Sequence, residues 1–314
     1  MQDLFGEQQE DYKNFTVFQD ESGCKKSNYF YHGFLFIDNE HGRDILDELI
    51  DIKKKKNKRW TEIHFHDIQN SLGYKTEIAL EWLNLVKIWL VERKIKFYFF
   101  GINKHNMGNF WKNDWHFDKN IYLKSFGIGF DSAMEWFKKD ERLSKPLNIS
   151  HLLYEYGPYG DERKAKINWL NIDFSKDALN CRLVNPIFSD EKRQLRIKKS
   201  FAEFSNLIQL TDLLVGVCRC SFIKINPDYK GRQACVKNFI DVIERFNNKN
   251  IAYNNSSKFY KSFCLGFFPG HKINQADFFG KTKTYLIKAK DNFYCDRETY
   301  QQFVLKKSQI RLNL

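Results

Sequence analysis

No run of apolar residues in this chain approaches the roughly 20 needed for a membrane-spanning helix. Its opening, M-Q-D-L-F-G-E-Q-Q-E, is acidic and polar and has none of the parts of a signal peptide. A cytoplasmic location with no membrane partner is the expectation. The seven cysteines, Cys24, Cys181, Cys218, Cys220, Cys235, Cys264 and Cys295, are odd in number, scattered, and never spaced as C-x-x-C. That argues against a disulfide framework and against thiolate-ligated zinc, and leaves reduced, mostly structural thiols. A phosphate-binding G-x-x-x-x-G-K loop, a G-x-G-x-x-G fingerprint and an evident Ser/His/Asp set are also missing, as are internal repeats.

What is present is material for a large core. The 314 residues suffice for one core, or for a core domain with an accessory domain, and aromatics reach 17% with 30 Phe. Charged residues at 29% and a mean hydropathy of −0.58 fit a water-soluble chain. The net charge is +12 and the pI about 9.2. A basic balance suits a polyanion, because each phosphate neutralised releases counterions.

The stretch N-F-T-V-F-Q-D-E-S-G, 14–23, reads as a strand with Phe15, Val17 and Gln19 on one face and Thr16, Phe18 and Asp20 on the other. It ends in two carboxylates, Asp20 and Glu21, and a Ser22-Gly23 turn. A rigid carboxylate at a sheet rim is what a hard divalent cation needs; by itself the stretch is also simply a strand with an acidic turn. Residues 28–38 predict a second, antiparallel strand, and 40–52 a helix leading into K-K-K-K-N-K-R at 53–59. That run is either a solvated loop or a phosphate-contacting edge.

W-T-E-I-H-F-H-D, 60–67, alternates, and if extended it puts Glu62, His64 and His66 on one face. A strong amphipathic helix is predicted over 75–94, a strand over 96–103, and a helix over 118–142. The strand expected at 148–154 runs into Glu155, repeating the strand-then-acid pattern of Asp20. A short helix is expected at 161–171 and a strand at 182–188. The apolar helix over 200–222 carries a stripe, Ser205, Gln209, Asp212, Gly216 and Arg219, whose steps of three and four put it on one face. A carboxylate on so apolar a helix must meet water, a partner or a metal. Gly216 removes a side chain from that face and admits another segment. A last helix is expected at 228–248, a turn at 266–272 and a weak strand at 285–288.

Three motifs then coincide in order: F-Q-D-E-S-G, T-E-I-H and I-Q-L-T-D-L-L-V-G. With them, residues 14–222 resemble the family catalogued as domain of unknown function 3800, which is similar to ribonuclease H-like nucleases. The resemblance implies an α/β fold, a ribonuclease H-like mixed sheet flanked by helices. The core would occupy 1–225, and 226–314 would be a helical and mixed C-terminal extension, suited to a protein partner or self-association. It also implies that Asp20, Glu62, Glu155 and Asp212 are catalytic metal ligands, with Mg²⁺ or Mn²⁺ as cofactor, two ions in all. Glu155 stands where the family usually shows Asp.

His64 is the candidate proton shuttle. Gln209 is expected to orient Asp212 or to touch the nucleic-acid backbone, and Lys53, Lys54, Lys55, Lys56, Lys198 and Lys199 to contact phosphates. Glu21, Ser22, Gly23 and Gly216 complete the motifs. The expected activity is metal-dependent hydrolysis of phosphodiesters in RNA or DNA. The alternative is a catalytically inactive module of the same fold that binds nucleic acid or assembles with a partner. A strand-transfer enzyme using the same acids is the third reading, disfavoured because no separate DNA-binding domain is evident.

Overall fold

The computed structural model describes residues 5, 13–23, 29–69, 73–103, eight positions between 125 and 136, 147–155, 187–189, 199–222, 228–244 and 262–268. The chain begins with strands β1 (Lys13–Ser22) and β2 (Tyr29–Asp38), followed by helices α1 (Gly42–Lys55) and α2 (Tyr74–Glu92). Strands β3 (Ile95–Asn103), β4 (Leu147–Glu155) and β5 (Ile187–Ser189) come next. Helices α3 (Lys199–Phe222) and α4 (Lys230–Glu244) and strand β6 (Phe263–Phe268) complete the order.

One mixed α/β sheet results, with strands in the order β5-β4-β1-β2-β3-β6. β1, β2 and β3 form the antiparallel part. β4 lies parallel to β1 on its other side, with β5 parallel to β4, and β6 is parallel to β3. The central strands are apolar on both faces because both are covered: Val17 and Phe18 point to opposite sides and are each fully buried. On one side the stripes of all four helices pack on Phe18, Leu35, Phe97 and Leu153. On the other, the Phe34 ring meets Phe126 and Phe130 edge-on, each at 5.7 Å between centroids. Each large side chain buried in this way contributes about 1.5–3 kcal/mol.

Several expectations change. The basic run is not a loop from residue 53, because α1 continues through Lys55 and closes with Asn57 in the left-handed region at φ 55°. Asn tolerates that conformation better than most residues. The 60–67 stretch is not a strand. Thr61–His64 pairs with no neighbouring strand, and Phe65–Asp67 forms a single 3₁₀ turn. The apolar residues Ile63 and Phe65 face α3 rather than a sheet, which accounts for the alternation. Residues 266–268 belong to β6 rather than to a turn. Beyond residue 225, α4 packs on α2 and α3, and β6 extends the sheet beside β3.

The helices expected at 161–171 and in most of 118–142, the strand at 285–288, most of the strand at 182–188, and Lys198 lie outside the described residues. Among the described residues no helix is long and apolar enough to cross a membrane.

Candidate functional site

The stripe on α3 is a seam, and each of its members meets something. Ser205 Oγ accepts from Gln209 Nε2 at 3.2 Å. Gln209 Oε1 accepts the Ile63 N–H at 2.9 Å. Asp212 Oδ2 accepts the Phe65 N–H at 2.8 Å. One turn on, Gly216 faces the Phe65 ring so closely that a Cβ would overlap it. Arg219 Nη1 donates to Ser22 Oγ at 2.9 Å. The sequence motif T-E-I-H is thus bound to the helix motif through its own backbone. Ile63 and Phe65 turn inward, buried at 0% and 6% exposure, and the residues between and beside them, Glu62 and His64, stay part-exposed.

His64 stands between two carboxylates. Its Nε2 lies 3.4 Å from Glu62 Oε2 and its Nδ1 lies 3.7 Å from Asp212 Oδ2. The side chains of Glu62, His64 and Asp212 are 33%, 22% and 24% exposed, so the group is open to a solute but not bathed on all sides. The following turn is pinned by Asp67. Lys75 donates to its carboxylate at 2.7 Å and holds its pKa below the ordinary Asp value. Arg232 of α4 donates to the His66 carbonyl oxygen from the other side.

Asp20 is brought to the same seam. It pairs with Gly33 across β1 and β2, and directly opposed residues share a face. The face is that of α3, because a Cβ on Gly33 would overlap Val215. Its neighbours on that face agree: Phe18 joins the helix-side cluster and Ser22 meets Arg219. Asp20 is 6% exposed. Glu21 is on the opposite face, paired with His32. Gln19 Nε2 donates to Glu21 Oε2 at 3.1 Å and lies 3.1 Å from His32 Nδ1, while His32 Nε2 lies 2.8 Å from Ser125 Oγ. The two adjacent acids therefore do not act as a pair. The backbone of Glu155 ends β4 one residue past the Gln19–Tyr154 register pair, which puts it beside Asp20 at the carboxyl edge of both parallel strands.

Two expected phosphate contacts are internal instead. Lys53 is 1% exposed; its Nζ donates to Asn206 Oδ1 at 2.6 Å and Gln209 Oε1 at 2.9 Å, and lies 4.9 Å from the Trp82 ring centre. It falls on the inner face of α1, whose last turn the basic run completes. Gln209, 3% exposed, is occupied by Lys53 and Ile63 and does not reach solvent. Its role is to hold the loop that carries Glu62 and His64. Lys54 pairs with Asp51 at 2.8 Å, and Lys56 with Glu77 and Glu81 at 2.9 and 3.0 Å. Lys55 is exposed. Lys199 begins α3.

Among the described residues, the group whose ligand atoms all lie within 4.8 Å of one another is Asp38, Glu40 and His41, at the other end of β1. Lys13 Nζ already sits 2.6 Å from Asp38 and 3.1 Å from Glu40, so this group carries its own cation. Sequence reasoning missed Lys53, Asn206 and Phe65 as parts of the seam. The apolar–polar alternation of 60–67 held the Phe65 signal but was assigned to a strand.

No family model, no curated protein and no solved structure matches this chain.

Proposed function

We propose that this protein is a divalent-metal-dependent nuclease that hydrolyses phosphodiester bonds of RNA or DNA. The observation that carries the reading is His64 standing between the Glu62 and Asp212 carboxylates, on the side of the sheet to which Asp20 also turns. The strand order supports it. The ribonuclease H-like resemblance implies a mixed sheet whose first strands are antiparallel, as β1, β2 and β3 are, and β4 parallel to β1 brings the Glu155 backbone beside Asp20. The +12 net charge suits a polyanionic substrate.

The donor set fits Mg²⁺ or Mn²⁺: carboxylate oxygens are hard ligands, and an imidazole beside them is compatible with Mn²⁺. Asp20, Glu62 and Asp212 would hold the ions, with Glu155 as a fourth ligand by its place in β4. Bound ions supply Lewis-acid stabilisation of charge on a phosphodiester and a nucleophile at neutral pH. The chain's own residues do the positioning. The Phe65 N–H fixes Asp212 through Oδ2 and leaves Oδ1 for the site. His64 lies between Glu62 and Asp212, where it would take or give a proton beside the scissile bond. Gln209 and Gly216 keep the loop against α3.

The test is cleavage of labelled RNA and DNA, single- and double-stranded, with Mg²⁺, Mn²⁺ or EDTA. Cleavage that needs the ion and disappears in Asp20→Asn and Asp212→Asn supports the reading. Binding without cleavage under every condition replaces it with the inactive nucleic-acid-binding module.

A further inference from the structure

The residues just before Glu62 form a shelf of a different chemistry. The α1 terminus and the turn after it enclose an open groove of about 480 Å³, lined by Lys54, Asn57, Lys58, Arg59, Trp60 and Thr61. Trp60 is 52% exposed and Tyr74 is 41% exposed, the two most exposed aromatic side chains among the described residues. Each has a cation on its ring: Arg59 lies 4.8 Å from the Trp60 centre, and Lys58 Nζ lies 4.8 Å from the Tyr74 centre. Arg59 also pairs with Glu203 at 3.0 Å, and Lys54 with Asp51. Among the described residues the Lys55 and Lys58 side chains have no carboxylate partner. The turn is fixed by Asn57 N–H to Lys54 O and Lys58 N–H to Lys53 O, both 2.8 Å, so the shelf is built rather than frayed.

We infer that this shelf binds an unpaired stretch of nucleic acid, one base stacking on Trp60 and another on Tyr74, with Lys55 and Lys58 on the phosphates. The inference rests on the nuclease reading and adds the substrate class, a single strand. An indole can stack only on a base that has left its duplex, and duplexes are read instead through their grooves and backbones. A ring that already carries a cation is half of such a site: when a base covers the ring, the cation moves to the adjoining phosphate. Continuity with the acids follows from the chain. Thr61 lines the groove and Glu62 is the next residue, so the Trp60 and Glu62 Cα atoms are no more than about 7 Å apart. A base held on Trp60 would therefore lie within one nucleotide's reach of the Glu62 backbone.

The experiment is fluorescence anisotropy of labelled 15-nucleotide RNA and DNA oligomers, single-stranded and duplex, in EDTA so that no cleavage occurs. Full-length wild type is compared with Trp60→Ala, Trp60→Phe, Tyr74→Ala and the double variant Lys55→Gln/Lys58→Gln. The expected result is a single-strand preference, roughly tenfold weaker binding for Trp60→Ala, and near-wild-type binding for Trp60→Phe. The double lysine variant should lower the slope of log affinity against log salt by about 1.4. Duplex bound as tightly as single strand, or Trp60→Ala binding like wild type, overturns the inference; so does the absence of any oligomer binding, which leaves the shelf to a protein partner. A thermal melt of each variant separates lost binding from lost fold.

Cleavage assays on the same proteins keep the two readings apart. Cutting that is indifferent to Trp60 retains the nuclease and removes the shelf. Trp60-dependent binding without cutting retains the shelf and removes the nuclease.

Discussion

The two ends of β1 each gather acids, and they treat positive charge in opposite ways. At the Lys13 end, Asp38 and Glu40 close on a lysine that the same sheet supplies. At the Asp20 end, the described ion pairs of Glu62 and Asp212 are with His64 alone. The buried lysine Lys53 donates to two neutral amides, Asn206 and Gln209, the latter one turn before Asp212 on α3. Carboxylates repel one another unless a cation lies between them. One cluster has solved that problem internally and is structural. The other holds Asp212 through the Phe65 N–H and sets His64 between it and Glu62, and as a metal site it would take its cation from solution.

The largest effect that would break this contrast is on catalysis. Asp212→Asn and Asp20→Asn should each lower metal-dependent cleavage by roughly 10²–10³-fold or more, whereas Asp38→Asn should leave cleavage near wild type and lower stability by about 1–2 kcal/mol. Equal losses of cleavage in Asp38→Asn and Asp212→Asn would remove the distinction between the two ends.

A second effect is on stability in the presence of the ion itself. Mn²⁺ at a hundredfold excess over its dissociation constant should stabilise wild type by about 2.7 kcal/mol. The gain should read as a higher Tm by calorimetry, survive Asp38→Asn, and vanish in Asp20→Asn/Asp212→Asn. A shift that survives loss of both acids places the ion elsewhere.

The third sharpens the part played by Lys53. Gln209→Ala removes the acceptor of the Ile63 N–H and one acceptor of the Lys53 ammonium, and should cost about 2 kcal/mol in urea unfolding. The loop bearing Glu62 and His64 loses its anchor as well, so cleavage should fall at temperatures where the variant is still folded. A variant with full activity and wild-type stability would mean that the seam positions nothing.

How much of this was legible in the residues depends on the range of the interaction. The faces of β1 follow from alternation alone, and Phe18 and Asp20 do share a side. The α3 stripe follows from helical spacing, which placed Gln209, Asp212, Gly216 and Arg219 on one line. What spacing could not give was the partner of that line. The alternation of 60–67 suits an extended strand, and the same alternation arises when a loop lies flat on a helix and turns every second residue inward. Lys53 was read with its neighbours as a surface charge, because nothing local distinguishes it from Lys54 and Lys55. Only α1 continuing to Lys55 turns Lys53 inward, toward an acceptor pair more than 150 residues away. The role of β6 was similarly hidden, since a parallel edge strand needs its distant neighbour β3 to be recognised as one.

The smallest expected effect concerns pH at the Lys13 end. Burial works against the Lys13 ammonium, yet Asp38 and Glu40 outweigh it and raise its pKa above the ordinary 10.5. A lysine whose pKa is raised by folding contributes stability that is fully present below the unfolded value and is lost as pH climbs through the folded one. The difference in unfolding free energy between wild type and Lys13→Met should therefore be flat from pH 7 to about 10 and shrink above that. Both proteins also weaken in this range for another reason. Burial pushes the Cys220 thiol up to about 11 and the Cys235 thiol to about 12, so their stabilisation declines from the ordinary thiol pKa upward. That loss is common to both and cancels in the difference. A difference that is still undiminished at pH 12 would show that Lys13 acts there through its aliphatic stem and not as the cation of its cluster, and the contrast between the two ends of β1 would then lose its electrostatic basis.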